Sequence, residues 1–237
     1  AQYGNNELST RQITHMLNYN KEISKNINLG ATVGYEYMRF QNKGMSINGR
    51  DFPSNFIPYN NYLQASTFSS RNVNSFADPI SELQSFFGRL NLNFNDRFLL
   101  TGTFRADGSS KFGINNKYGY FPSFAGAWNI QNENFMKDSK LFSSLRFRAG
   151  WGMTGNQEFP AGAATERYRY NGPGSVVNVN IENPDLKWET SSMTNFGIDF
   201  GFMNNRLTGT VDYFSKTTKD LLFRLTAVSP APEAFYW

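Results

Sequence analysis

Cysteine is absent from the sequence, so disulfides and thiolate metal sites are excluded. There is one histidine, His15, which removes most imidazole-based metal sites and nucleophile–base pairs. No stretch approaches the roughly 18–20 consecutive apolar residues that a membrane-spanning helix needs. Block charge is missing too. The net charge of +4 is spread along the chain, with no Lys/Arg run of the kind that marks a nucleic-acid surface, so no nucleic-acid partner is expected. The first nine residues have neither the basic start nor the apolar core of a secretion signal. The start is therefore read as a mature or internal one.

What is present is an unusual pairing of polarity with aromaticity. Mean hydropathy is −0.52, yet 16% of the 237 residues are aromatic, with 23 Phe and 12 Tyr beside 20 Gly. A transmembrane β-barrel has this signature, because only alternate residues of each strand face lipid and the average stays low.

Read in steps of two, the chain yields eight strands. In residues 27–37 the odd positions Ile27, Leu29, Ala31, Val33, Tyr35 and Tyr37 are apolar or aromatic, and the even ones are Asn, Gly, Thr and Glu. About eleven such residues cross a bilayer at a tilt. Similar alternation runs through 86–94, 98–107, 145–154, 195–202 and 207–214, and more weakly through 10–19 and 119–130. Short links are expected near Asn20-Lys21, at Asn95-Asp96 and at Asn204-Asn205, from residues that tolerate left-handed geometry. Long links are expected at 41–81, 108–118 and 155–187, with another beginning near Ser215 and with 131–142 intermediate and able to hold a helical turn. Short and long links thus alternate, as tight periplasmic turns and long outer loops do in an outer-membrane barrel.

Chemistry-bearing groups are few. His15 falls on the apolar phase and is read as structural. Gly108-Ser109-Ser110-Lys111 lacks the Walker spacing and is read as a loop tip. Arg89, Arg105, Asp107, Arg146, Arg148, Asp199 and Asp212 share the polar phase and are candidate lumen-facing residues. Acids on that face could support glycoside hydrolysis. The plainer reading is opposite charges interleaved across neighbouring strands. Trp128, Trp151 and Trp188 are assigned to an interfacial aromatic girdle rather than to sugar stacking. Tyr59, Tyr62, Tyr168 and Tyr170 lie in the long links and are the candidate contacts for an external ligand or partner. No catalytic, metal or cofactor site is expected.

Several blocks resemble a known family. Phe86-Phe87-Gly88-Arg89-Leu90-Asn91, Asn95-Asp96-Arg97-Phe98-Leu99-Leu100-Thr101-Gly102 through Asp107-Gly108-Ser109-Ser110-Lys111-Phe112-Gly113, and Tyr120-Phe121-Pro122-Ser123 to Ala127-Trp128 come first. Leu145 to Gly152 with Thr154-Gly155-Asn156-Gln157, Asn183-Pro184-Asp185-Leu186-Lys187-Trp188-Glu189-Thr190, Asn195-Phe196-Gly197 with Asp199, and Asp212-Tyr213-Phe214 to Thr218-Lys219-Asp220-Leu221-Leu222 follow. Together these blocks, over about residues 83–224, strongly resemble the barrel of SusC/RagA-type TonB-dependent transporters of Bacteroidetes; residues 1–82 match in style only. The resemblance implies an outer-membrane importer of glycans or peptides, with a 22-stranded barrel, an internal plug, a SusD-like surface lipoprotein as lid, and the TonB complex as energy source. It implies no catalytic residues.

The plug and the TonB-contacting segment are not represented, so residues 1–237 are expected to be one partial barrel domain within a longer polypeptide, embedded in outer-membrane lipid. A complete small eight-stranded barrel with an anchoring or adhesive role is the alternative. A secreted carbohydrate-active β-protein using the acids of the polar face is a third.

Overall fold

A computed structural model describes residues 2–54, 56, 61–136, 139, 141–226 and 235–236. Eight long strands form one antiparallel sheet: β1 (Gln2–Ser24), β2 (Ile27–Asn48), β4 (Ser81–Phe94), β5 (Phe98–Ser109), β6 (Tyr118–Asn129), β7 (Phe142–Asn156), β10 (Glu189–Phe202) and β11 (Leu207–Lys219). They lie side by side in chain order, and a short strand, β3 (Asn72–Ala77), adds to β2 beyond the end of β4. A second, smaller sheet contains β8 (Arg167–Gly172), β9 (Ser175–Asn180), β12 (Leu225–Thr226) and β13 (Phe235–Tyr236). Among the described residues no pairing joins β1 to β11, so the main sheet is open.

All eight strands read from alternation are present, and most run longer than their apolar cores. The largest extension is in β1 and β2, paired from Gln2↔Asn48 to Ser24↔Ile27. At about 3.3 Å per residue a strand of this length reaches on the order of 75 Å, more than twice the ~30 Å of a bilayer core. The far half of this hairpin, built from polar residues such as Asn5, Asn6, Asn42 and Lys43, therefore stands clear of the membrane. Alternation of apolar residues detects only the part that meets lipid, which is why residues 2–9 and 41–48 were not read as strand. Part of the expected loop 41–81 is consequently strand, and so is part of 155–187, where β8 and β9 form a hairpin.

The two ends of the sheet differ as expected. At the turn end the strands are joined at 25–26, 95–97, 130–141 and 203–206. The first turn lies at Lys25-Asn26, not at Asn20-Lys21, because Lys21 still pairs with Leu29 inside the ladder. At Asn95-Asp96 both φ angles are positive, 55° and 52°, the geometry of a primed hairpin turn that these side chains tolerate. The Asn93 side chain accepts the Asp96 N–H at 3.0 Å and closes the turn. Residues 203–205 likewise run through positive φ. The link 130–141 carries two short 3-10 turns, Ile130–Asn132 and Asn134–Met136. The loop end holds the links 49–80, 110–117 and 157–188.

Register sorts the side chains onto two faces. Leu17↔Val33, Ala31↔Leu90, Leu90↔Gly102, Gly102↔Phe124, Phe124↔Trp151, Ala149↔Phe196 and Phe196↔Tyr213 form one continuous apolar row. Its large members on several strands stay exposed: Val33 is 57% accessible, Phe124 63% and Tyr213 66%. An apolar face of this breadth needs a non-aqueous neighbour, and lipid is the one that fits a strand wall. Pairing between β6 and β7 begins at Ser123, directly after Pro122, which has no N–H to contribute.

Candidate functional site

The opposite face is polar, and Arg89, Arg105, Asp107, Arg146, Arg148, Asp199 and Asp212 all belong to it by register. The structure gathers five of them into two networks. In the first, Glu36, Ser85 and Asp107 occupy neighbouring positions on β2, β4 and β5. Arg105 donates to Asp107 at 2.6 Å, to Ser85 Oγ at 2.8 Å and to Glu36 at 3.2 Å. Gln12 and Thr14 on β1 donate to the other oxygen of Glu36 at 2.6 and 3.3 Å. One arginine therefore ties four strands together, and Ser85 beneath it is fully buried.

In the second network Arg148 donates two parallel bonds to Asp199, at 2.8 and 2.9 Å, and a third to Asp212 at 3.0 Å. Thr210 donates to Asp199 at 3.0 Å. The fork geometry of guanidinium on carboxylate fixes β7 against β10 and β11. Gly197 permits it, since a Cβ there would meet the Asp212 carboxylate and the Arg148 guanidinium. Arg89 and Arg146 join neither network. Arg89 has no ion pair among the described residues, and the buried Nε of Arg146 has no hydrogen-bond partner there. Sequence reading missed Glu36, Ser85 and Thr210 as members. The signal was available, because each shares the polar phase, but only register shows which of many polar residues stand opposite an arginine.

The loop end carries the buried core. Phe112, Phe121, Phe159, Ala163, Ala164, Leu186 and Trp188 form a cluster, with Leu83 and Leu222 against it. Trp188 corrects the girdle assignment. It is buried, 4.5 Å from the Phe112 ring and 5.4 Å from the Phe121 ring, and its indole N–H donates to the Lys117 carbonyl at 3.0 Å. Phe121 sits on the polar phase of β6, so this cluster rests on the polar face of the wall, away from lipid. Trp128 and Trp151 do lie on the apolar face, Trp151 beside Phe124 at 6.2 Å.

Two of the sequence blocks meet here. The Gly113 N–H donates to the Leu186 carbonyl at 3.0 Å, and Asn115 Nδ2 reaches Asp185 at 2.9 Å. A Cβ at Gly113 would run into the Pro184 backbone. Lys111 is folded in rather than presented at a loop tip: its Nζ donates to the carbonyls of Phe159 and Gln157 at 2.9 and 3.2 Å. Burial pulls its pKa below the ordinary lysine value, with Glu158 opposing.

At the turn end, Glu133 is buried, held in a fork by the Arg97 guanidinium, and accepts the Trp128 indole N–H at 2.9 Å. The hydrogen bonds from Arg97 and then from Trp128 hold its carboxyl below the usual glutamate range against the opposing cost of burial. Asn129 and Asn132 both donate to the Asp96 carbonyl, at 2.7 and 2.8 Å, locking link 130–141 onto the turn at Asn95-Asp96.

Of the loop tyrosines, Tyr168 and Tyr170 come together on β8 and line a cleft of about 670 Å³ against β3. Tyr62 opens the 3-10 turn Leu63–Ala65 and does not line that cleft. Tyr59 lies outside the described residues. Among the described residues no cluster of His, Asp or Glu could hold a metal ion.

Comparison with known proteins bears on the whole wall. The family model described as TonB dependent receptor-like, beta-barrel, matches residues 1–236. The chain is 37% identical over 217 residues to TonB-dependent receptor P3 of Formosa agariphila, covering 87% of this chain and 21% of that receptor. It is 36% identical over 229 residues to TonB-dependent receptor SusC of Bacteroides thetaiotaomicron, covering 89% and 22%. Among solved structures, the RagAB peptide transporter superposes with a TM-score of 0.84 at 27% identity, over 99% of this chain and 26% of that one. The siderophore receptor PirA from Pseudomonas aeruginosa shares the fold at a TM-score of 0.56 and 15% identity. The chain thus spans about a fifth of the length of the curated relatives it matches. These relatives are receptors rather than enzymes, and they are multi-pass barrels of the outer membrane. With its apolar outer face, alternating short and long links and open antiparallel sheet, the chain belongs to the TonB-dependent receptor β-barrel family, in its SusC- and RagA-like branch.

Proposed function

We propose that residues 1–237 are one partial barrel domain in the wall of a TonB-dependent outer-membrane importer of glycans or peptides. A SusD-like surface lipoprotein covers the loop end, and the TonB complex acts through parts of the receptor other than this wall. The observation that carries this reading is the likeness to SusC along nearly the whole chain, in a stretch that is about a fifth of that receptor. The open sheet supports it over a complete small barrel, since an unpaired strand edge in hydrocarbon leaves its backbone groups unsatisfied.

On this reading the polar face lines the lumen, with Arg89, Arg105, Asp107, Arg146, Arg148, Asp199 and Asp212 on it. Carboxylates held by arginine on that face are wall struts, so the domain passes substrate without altering it. Purification of the native protein from outer membranes tests the proposal. The expected particle contains a polypeptide several times longer than this chain, together with a surface lipoprotein. Deletion of its gene should abolish growth on one class of oligosaccharide or oligopeptide. A stable folded species of this length alone, or unchanged growth on every such substrate, would overturn it.

A further inference from the structure

The apolar face has an upper rim, and register fixes its height. On β2 the outward positions run Ile27, Leu29, Ala31, Val33, Tyr35 and Tyr37 toward the loop end, and Arg39 comes next. Ile27 stands in one row with Phe94, Phe98 and Trp128, and Tyr37 in another with Gln84, Gly108 and Tyr118. The interval from Ile27 to Tyr37 rises about 33 Å along the strand, or about 25 Å across the membrane at the ~40° tilt of barrel strands. That is the height of the lipid-facing band of an outer-membrane barrel, with aromatic rings at both rims. The upper rim is the hydroxyl-bearing one. Tyr118 donates to Gln84 at 3.3 Å and Tyr37 to Glu82 at 2.7 Å, while Tyr120 stands in the Tyr35 row with its ring 61% accessible. His15 faces Tyr35 from β1 in that same row.

One step above this rim, about 5 Å higher, the outward positions of β1 and β2 are Arg11 and Arg39, directly opposite each other in the ladder. Like charges in that relation repel. Further up the same hairpin the same two strands place Glu7 opposite Lys43, and those side chains pair at 3.2 Å. The hairpin thus matches opposite charges in water and sets two arginines together at the depth of the lipid headgroups. Glu82 faces Arg39 from β4 and accepts the Tyr37 hydroxyl, so two cations stand against one acid and the rim keeps a positive charge. Both neighbours of β2 are in place here, and β1 and β2 pair without a shift through this region. The juxtaposition therefore holds whatever strand precedes β1.

We propose that Arg11 and Arg39 bind the phosphate of a phosphorylated glycolipid in the outer leaflet. The phosphate lies between the two guanidinium groups, which are forked donors suited to its oxygens, and relieves their repulsion. The acyl chains of the same lipid lie down the apolar face over Val33 and Leu17, which face each other two rows below the Tyr37 row. The tyrosine hydroxyls and His15 meet the polar linkage between phosphate and chains. One lipid molecule thereby joins a charge match to an apolar contact, and selection rests on the phosphate. The inference goes beyond the importer reading and needs only the outer-membrane location.

The test is native mass spectrometry of the full-length receptor, stripped of lipid in detergent and then mixed with lipid A or with lipid A from which the phosphate has been removed. Phosphorylated lipid A should be retained about tenfold better than the dephosphorylated form. The double variant Arg11→Gln, Arg39→Gln should lose about tenfold in retention of the phosphorylated lipid, at roughly 1 kcal/mol for each cation near a lipid surface. Lys43→Gln, which removes a cation already paired to Glu7, should lose nothing. Millimolar inorganic phosphate should not displace the lipid, because the acyl chains supply part of the binding. In detergent without lipid, Arg39→Gln should unfold at the same temperature or a higher one, since it removes half of a repulsive pair. Equal retention of the two lipids, an unchanged double variant, an equal loss in Lys43→Gln or displacement by free phosphate would each overturn the proposal. So would a lower unfolding temperature for Arg39→Gln without lipid, which would make Arg39 a strut to Glu82. Growth on the transported substrate is a separate readout, so failure of import and failure of lipid binding are told apart.

Discussion

The two ends of this wall are held together by different physics. At the turn end a few polar groups on short links do the work: Glu133 is clasped by Arg97 and Trp128, and the Asp96 carbonyl receives two asparagine side chains. At the loop end the links are packed by apolar burial, with Trp188 at the centre of a cluster drawn from links 110–117 and 157–188, from strands β4 and β6, and from Leu222 after β11. Link 130–141 is longer than link 110–117, so length alone does not separate the two ends. Link 157–188 is the one that loses most on ordering, and the buried apolar area it shares with link 110–117 offsets that cost.

The largest effect should come from removing the centre of the loop-end cluster. Trp188→Ala should destabilise the folded receptor by about 3–5 kcal/mol through lost burial and the cavity left behind. Urea unfolding of the purified full-length protein reads this, and limited proteolysis should show cleavage shifting into 157–188. Gly113→Ala should act at the same place, because its new Cβ forces the Pro184 backbone to move. If instead cleavage appeared at 130–141, the two ends would not be independent.

A smaller effect is expected midway, where arginine braces the strands. Arg148→Ala and Asp199→Ala should each lower the unfolding midpoint several-fold less than Trp188→Ala, and the double variant should cost little more than either alone. Arg89→Ala should leave the midpoint unchanged, because Arg89 has no ion pair among the described residues. Additive losses from the Arg148 and Asp199 variants would show that the fork contributes nothing to stability.

The turn end should respond to acid. The carboxyl of Glu133 titrates lower in the folded chain than in the unfolded one. Its stabilisation is therefore complete above an ordinary glutamate pKa of about 4.3 and lost as pH falls through the depressed folded value. Proteolysis at 130–141 by an acid-active protease should rise in that window, and Glu133→Gln should make the rate less dependent on pH. The loop end should respond slightly, at the other extreme. The pKa of Lys111 is lowered by burial, so the unfolded chain binds more protons between the depressed value and the ordinary one near 10.4, and stability rises with pH across that interval. Lys111→Met should flatten that rise in unfolding midpoints taken from pH 8 to 10.

Much of this was legible before any coordinates. Period-two alternation located all eight long strands because one face of each meets lipid, and Asn95-Asp96 and Asn204-Asn205 marked two turns because few other residues accept positive φ. The polar ends of β1 and β2 escaped that reading, since a strand with water on both faces has no apolar period. Trp188 was misplaced for a related reason. Its position beside a strand start says nothing about which side of the wall a following loop folds over.

The sequence by itself determined the class of wall and the two chemically opposite faces, because side-chain direction in a strand is set by parity alone. Its family blocks determined the kind of receptor. Tertiary structure alone decided which acids meet which arginines, that Phe112–Asn116 docks on Pro184–Trp188, and that β3 and β8 border a common cleft. Those contacts join residues distant in sequence through long links whose paths no local rule dictates, and they are fixed only when register and burial are satisfied together.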